Sequence, residues 1–158
     1  MTPRNWKRLQ PTSLRHALEL CKDHARARHN RSVEGIAELM GLADHWALYK
    51  WLQNGRMPAN LIRPYEAACG IDFVTRWVAA SSGQLLVPMP KGKAANQGEL
   101  VELNTCFAAT LQLLTDFYAD PAQGDPEATL ASLTHHLQQV ASHRANVAQF
   151  STPQLDFE

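Results

Sequence analysis

Residues 32–58 read SVEGIAELMGLADHWALYKWLQNGRMP, and this stretch decides the fold. Ser32 can cap a helix whose Val33, Ile36, Ala37 and Met40 fall on one face, and Gly41 stops it. Asp44 can cap a second helix running to about Gln53, which Asn54-Gly55 terminates. Two short helices joined by a tight turn need a small residue where they approach each other, and Ala37 supplies it. The turn needs a residue that tolerates a left-handed backbone, and Gly41 follows four residues later. Leu48, Trp51 and Leu52 are then spaced to pack back on the first helix.

Outward from this stretch the chain reads as helical almost throughout. Upstream, Thr12 or Ser13 caps a helix with Leu14, Ala17, Leu18, Cys21 and Ala25 on its apolar face and Arg15, Lys22, Arg26 and Arg28 on the other. Downstream, Pro58 opens a helical stretch through Ala68, closed by Gly70, which Arg63-Pro64 is expected either to kink or to split. Asp72 caps a fifth helix from Phe73 to about Ala80. Ser81 to Asn96, with Ser81-Ser82-Gly83, Pro88, Pro90 and Gly92, has the chemistry of a linker. Long helices are expected from about Glu99 to Tyr118 and from about Glu127 to Gln149, either side of a loop at Asp120-Pro121 and Gly124-Asp125-Pro126. The expected organisation is an N-terminal domain over 1–80, a linker over 81–98, a helical hairpin over 99–149 and a flexible tail over 150–158.

The 158 residues carry no formal net charge, but the charge is divided. Through Arg63 there are eleven basic residues against five acids, a net +6; from Pro64 onward there are four against ten, a net −6. A basic half beside an acidic half points to nucleic acid as the partner of the first. Cys21, Cys69 and Cys106 are odd in number and far apart, which argues against a disulfide framework or a zinc site and for a reducing, cytoplasmic setting. The N-terminal residues lack an apolar run, so no secretory signal and no membrane association are expected. No cofactor is expected. Catalysis is not expected either: His135 and His136 are adjacent, His143 lies one heptad away without a carboxylate partner, and no nucleophile motif or Gly-rich phosphate loop occurs.

The run Ile36-Ala37-Glu38-Leu39-Met40-Gly41-Leu42, then Leu48-Tyr49-Lys50-Trp51-Leu52, then Gly55-Arg56-Met57-Pro58 resembles the helix-turn-helix of the Cro and lambda-repressor type. The likeness covers roughly residues 14–70. It implies an all-α, lambda-repressor-like DNA-binding domain whose second helix enters the major groove. Carried over by position, His45, Trp46, Tyr49, Lys50 and Gln53 would face the groove, with Arg56 on phosphate. In those roles His45 and Lys50 donate to guanine edges or phosphate, Tyr49 bonds phosphate and Trp46 meets a thymine methyl or a sugar edge. One departure stands out: from Gly41 to Trp51 the spacing is one residue longer than the family pattern, so either the turn is extended or the helix starts differently. The basic segment Arg4-Asn5-Trp6-Lys7-Arg8 is expected either to track phosphate or minor groove or to be a solubilising leader.

The second half carries an apolar seam. Leu100, Leu103, Phe107, Leu111 and Leu114, then Leu130, Leu133, Leu137 and Val140, fall at three- and four-residue steps. Two such helices make a hairpin with one stripe each; a four-helix dimer is the natural way to cover it, and packing on the chain's own N-terminal domain is the alternative. The layout resembles phage CII-type regulators. That resemblance implies a phage or prophage transcriptional regulator that binds double-stranded DNA as a dimer or tetramer, with RNA polymerase a candidate further partner. The competing reading is a protein-interaction adaptor, antitoxin-like or polymerase-binding, that keeps the helix-turn-helix shape without binding DNA. Gln154-Leu155-Asp156-Phe157 resembles the short peptide that docks on bacterial sliding clamps.

Overall fold

The computed structural model describes residues 5, 6, 9–88 and 96–151, the last three as backbone alone. The expected tail motif at residues 154–157, the stretch 89–95 of the linker, and Arg4, Lys7 and Arg8 lie outside the described residues. Among the described residues the chain is all-α: α1 Leu14–His29, α2 Val33–Leu39, α3 His45–Asn54, α4 Ala59–Cys69, α5 Phe73–Ser81, α6 Gln97–Ala119 and α7 Pro126–Ser151. It divides into two compact units, Met1–Leu86 and Val87–Glu158.

In the first unit local chemistry sets most helix ends. The Ser13 hydroxyl accepts from the His16 N–H (3.1 Å) and the Ser32 hydroxyl from the Gly35 N–H (3.2 Å), each satisfying an amide that the first turn leaves unpaired. Asp44 does the same for Trp46 N–H at 2.9 Å. Helix α1 ends on Asn30 at φ 50°, with Arg26, Arg28 and His29 in its last turn, where cations favour the negative end of the helix dipole. Gly55 ends α3 at φ 67°, and a Cβ there would approach the Arg15 Cβ to 3.1 Å, so both backbone angle and space demand glycine. Five residues, Met40 to Asp44, separate α2 from α3. A tight helix–helix turn uses three or four, so this connection is longer by one or two.

The core gathers Leu18, Leu20 and Cys21 of α1, Ile36 and Ala37 of α2, Leu48 and Leu52 of α3, Tyr65 and Cys69 of α4, and Phe73 and Val74 of α5. The buried Tyr65 hydroxyl donates to the Leu18 carbonyl at 2.8 Å, which ties α4 to α1. Burial, then the neighbouring Cys69, pushes the Cys21 thiol up to about 12; burial likewise pushes Cys69 up to about 12, so both behave as small apolar residues rather than nucleophiles.

Three expectations change in this unit. Of the two outcomes expected at Pro64, the split does not occur, since α4 runs through it from Ala59 to Cys69. Asp72 occupies the N-cap position of α5 but makes no side-chain cap; its carboxylate instead pairs with Arg76 at 2.6 Å. The α5 terminus is capped from α4: buried Glu66 accepts from the Thr75 N–H (2.7 Å) through Oε1 and from the Thr75 hydroxyl (2.6 Å) through Oε2. Finally, Trp6 is neither on an arm nor in a solvated leader. It is buried in the core, edge-on to His24 with ring centroids 5.1 Å apart, where the large apolar surface of the indole is removed from water.

In the second unit α6 and α7 pack on one another. Asn96 caps α6 through the Glu99 N–H (3.0 Å), and Asp125 caps α7 through the Glu127 and Ala128 N–H groups (2.9 and 3.1 Å). The helices meet through small and polar groups: buried Thr110 shares a 2.8 Å hydrogen bond with Ser132, and the Phe107 and His136 rings lie 5.2 Å apart. The apolar seam is only partly covered within the pair. Leu130 is 64% exposed; Leu100, Phe107, Leu111, Leu137 and Val140 are exposed too, and Leu103, Leu114 and Leu133 half-buried.

Candidate nucleic-acid interface

Helix α3 owes its two faces to its phase. Leu48 and Leu52 point into the core and Trp51 packs partly against it, which turns His45, Trp46, Tyr49, Lys50 and Gln53 into one outward arc of about 140° at 100° per residue. Trp46, Tyr49, Lys50 and Gln53 are exposed, His45 half-buried, and Arg56, just beyond the Gly55 turn, is exposed as well. All six residues expected to face DNA thus lie at the surface on α3 or immediately after it.

The arc has two chemically distinct halves. At its N-terminal end the His45, Trp46 and Tyr49 rings form a cluster, with centroids 5.2 Å (His45–Trp46), 5.7 Å (Trp46–Tyr49) and 6.3 Å (His45–Tyr49) apart. Trp46 is 63% exposed. At the C-terminal end Lys50 and Gln53, followed by Arg56, offer hydrogen-bond donors and positive charge.

Sequence reading missed the partner of Tyr49. Its hydroxyl donates to the Glu34 carboxylate on α2 at 2.6 Å. That bond, together with one from the Ser32 hydroxyl, holds the Glu34 carboxyl down at about 2 and raises Tyr49 above its ordinary value. The phosphate role expected of the Tyr49 hydroxyl competes with this bond. The sign of the Glu34 shift means that the bond is present above the ordinary carboxylate range and lost only as pH falls towards 2. In the sequence Glu34 reads as an acid favoured in the first turn of α2, and nothing local points across to α3.

A cleft of about 560 Å³ opens beside the arc, between α1, α2 and α3, with Lys22, Arg26, Arg31, Glu34, Tyr49 and Gln53 among its walls. Arg31 is already committed, donating to the Ala68 carbonyl at 2.6 Å. No group of three or more metal-ligating side chains occurs among the described residues, and no helix among them is long and apolar enough to cross a membrane. Comparison with known proteins finds no matching family model, no matching curated protein and no matching solved structure.

Proposed function

We propose that this chain is a sequence-specific DNA-binding transcriptional regulator of phage or prophage type. In this reading α2 and α3 form a lambda-repressor-like helix-turn-helix, α3 enters the major groove, and α6 and α7 join two or more copies. The observation that carries it is the outward arc of α3: a short, well-anchored helix with base-edge-reaching side chains on one face and Lys50 and Arg56 at its C-terminal end. Phosphate contacts would fix register, and the arc would read sequence. The exposed seam of the second unit supports self-association, since apolar stripes of that extent on one chain mark an interface. RNA polymerase is a candidate partner only at a bound promoter.

A specific observation supports the adaptor as second reading. Trp46 and Leu39 are both well exposed, and the acids Glu34, Glu38 and Asp44 lie exposed on α2 and at the start of α3, a mixture that also suits a protein partner. Lys50→Ala separates the two. On the DNA reading it should weaken binding to a selected duplex about tenfold, while unfolding free energy changes by less than about 0.5 kcal/mol. Anisotropy titration and a denaturant melt on the same preparation measure both. Unchanged DNA affinity would favour the adaptor.

A further inference from the structure

We infer that the His45–Trp46–Tyr49 ring cluster reads thymine methyl groups, so that the N-terminal half of α3 selects A·T pairs while Lys50 and Gln53 supply the hydrogen-bonding contacts beyond. The inference rests on the DNA reading above and names what that interface recognises. Its first support is what the cluster lacks. The Tyr49 hydroxyl is taken by Glu34 at 2.6 Å, so Tyr49 offers the groove its ring rather than a donor. The Asp44 carboxylate is taken by the Trp46 N–H at 2.9 Å. A guanine edge presents two acceptors, N7 and O6, and is best met by a bidentate donor such as Arg or Lys; this half of the arc carries neither, only the single ring N–H donors of His45 and Trp46.

The second support is what the cluster offers. Three rings lie within 5.2 to 6.3 Å of one another, tilted or edge-on, and the carbon faces of Trp46, 63% exposed before binding, and Tyr49 give this end of the arc its apolar surface. In the major groove the thymine C5-methyl is the apolar group available to cover such a platform. Gln53, eight residues after His45 on the same arc, carries the amide that pairs bidentately with adenine N6 and N7. The ring cluster and Gln53 therefore favour the same kind of base pair by different means, methyl contact and amide pairing, and Lys50 is left to phosphate.

The test uses the full chain at low salt and short alternating duplexes. One contains adenine and thymine; a second replaces thymine with deoxyuridine, which deletes the C5-methyl and leaves the pairing edge intact. A third contains guanine and cytosine, and a fourth replaces cytosine with 5-methylcytosine, which puts a methyl at the same groove position. The thymine duplex should bind more tightly than the uracil duplex, by about fourfold for each methyl buried. Methylation of cytosine should raise affinity in the same direction. Trp46→Ala should bring the thymine-to-uracil ratio close to unity, whereas Trp46→Phe should keep most of it; the exposed position makes both substitutions compatible with the fold. A ratio of unity for the native chain, with measurable binding to all four duplexes, would overturn this inference and leave the DNA reading standing. Failure to bind any of the four would overturn both.

Discussion

A chain ending at Leu86 should keep its helical fold, become monomeric, and bind a two-half-site duplex at least about a hundredfold more weakly than the full chain. The fold should survive because the first unit carries its own core, from Trp6 to Val74, with no core residue drawn from α6 or α7. Self-association should disappear because the exposed seam, Leu100, Phe107 and Leu111 with Leu130, Leu137 and Val140, goes with the removed segment. Affinity should fall because joining two copies makes the second half-site contact intramolecular, and its effective concentration is lost on cutting. Half-sites about 34 Å apart on one face of the duplex are the geometry a two-fold dimer would read. Light scattering and anisotropy on both chain lengths measure the two effects. A full chain that is monomeric at micromolar concentration would remove the dimer from the account.

Glu66→Ala should destabilise the first unit by about 2–4 kcal/mol, far more than its acidic side chain suggests from the sequence. Only 2% of Glu66 is exposed, and its carboxylate is the cap of a helix that begins seven residues later. Removing it leaves the Thr75 N–H and hydroxyl without the acceptors they now have at 2.7 and 2.6 Å. Thr75 is half-buried, so its donors are only partly reached by water once unpaired, and an unsatisfied donor of that kind costs more than the mean value of a hydrogen bond, the more so when the lost acceptor is charged. The Arg63 contact at 3.3 Å adds little, since that side chain is 76% exposed and solvent screens it. Glu66→Gln, which retains one acceptor, should recover part of the loss. Denaturant unfolding followed by far-UV dichroism distinguishes the two variants; a Glu66→Ala loss below about 0.5 kcal/mol, typical of a plain surface change, would contradict the cap.

These two results bear on what the sequence could show. The caps of α1, α2 and α3 were readable because Ser13, Ser32 and Asp44 act on amides two or three residues away, and the stops at Gly55 and Gly70 because a left-handed backbone selects glycine on the spot. The inward face of α3 followed from the spacing of Leu48, Trp51 and Leu52, while its outward residues came from the helix-turn-helix resemblance. What did not show were the pairings between elements. Asp72 looks like the cap of α5 from its own position, yet the buried carboxylate of Glu66 reaches the same turn and leaves Asp72 to Arg76. Glu34 to Tyr49 spans α2 and α3, and Trp6 against His24 joins a pre-helical segment to α1; no residue periodicity encodes either. The seam of α6 and α7 was visible as a pattern, but a pattern does not say whether a stripe faces its own hairpin or another molecule. The Thr110–Ser132 contact takes the inner position, Leu103, Leu114 and Leu133 are half-buried, and Leu100, Leu111, Leu130 and Leu137 are left outside.

The salt dependence of DNA binding tests the central claim most directly. The first half of the chain holds the excess of Lys and Arg, and a bound dimer neutralising about four to six phosphates releases their counterions. The full chain titrated into a duplex chosen from a random pool should give a log affinity that falls linearly with log salt, with a slope of roughly −4 to −5. No retention on duplex DNA at low salt, or an affinity that does not change up to physiological ionic strength, would contradict the DNA-binding account and leave the ring cluster of α3 to a protein partner.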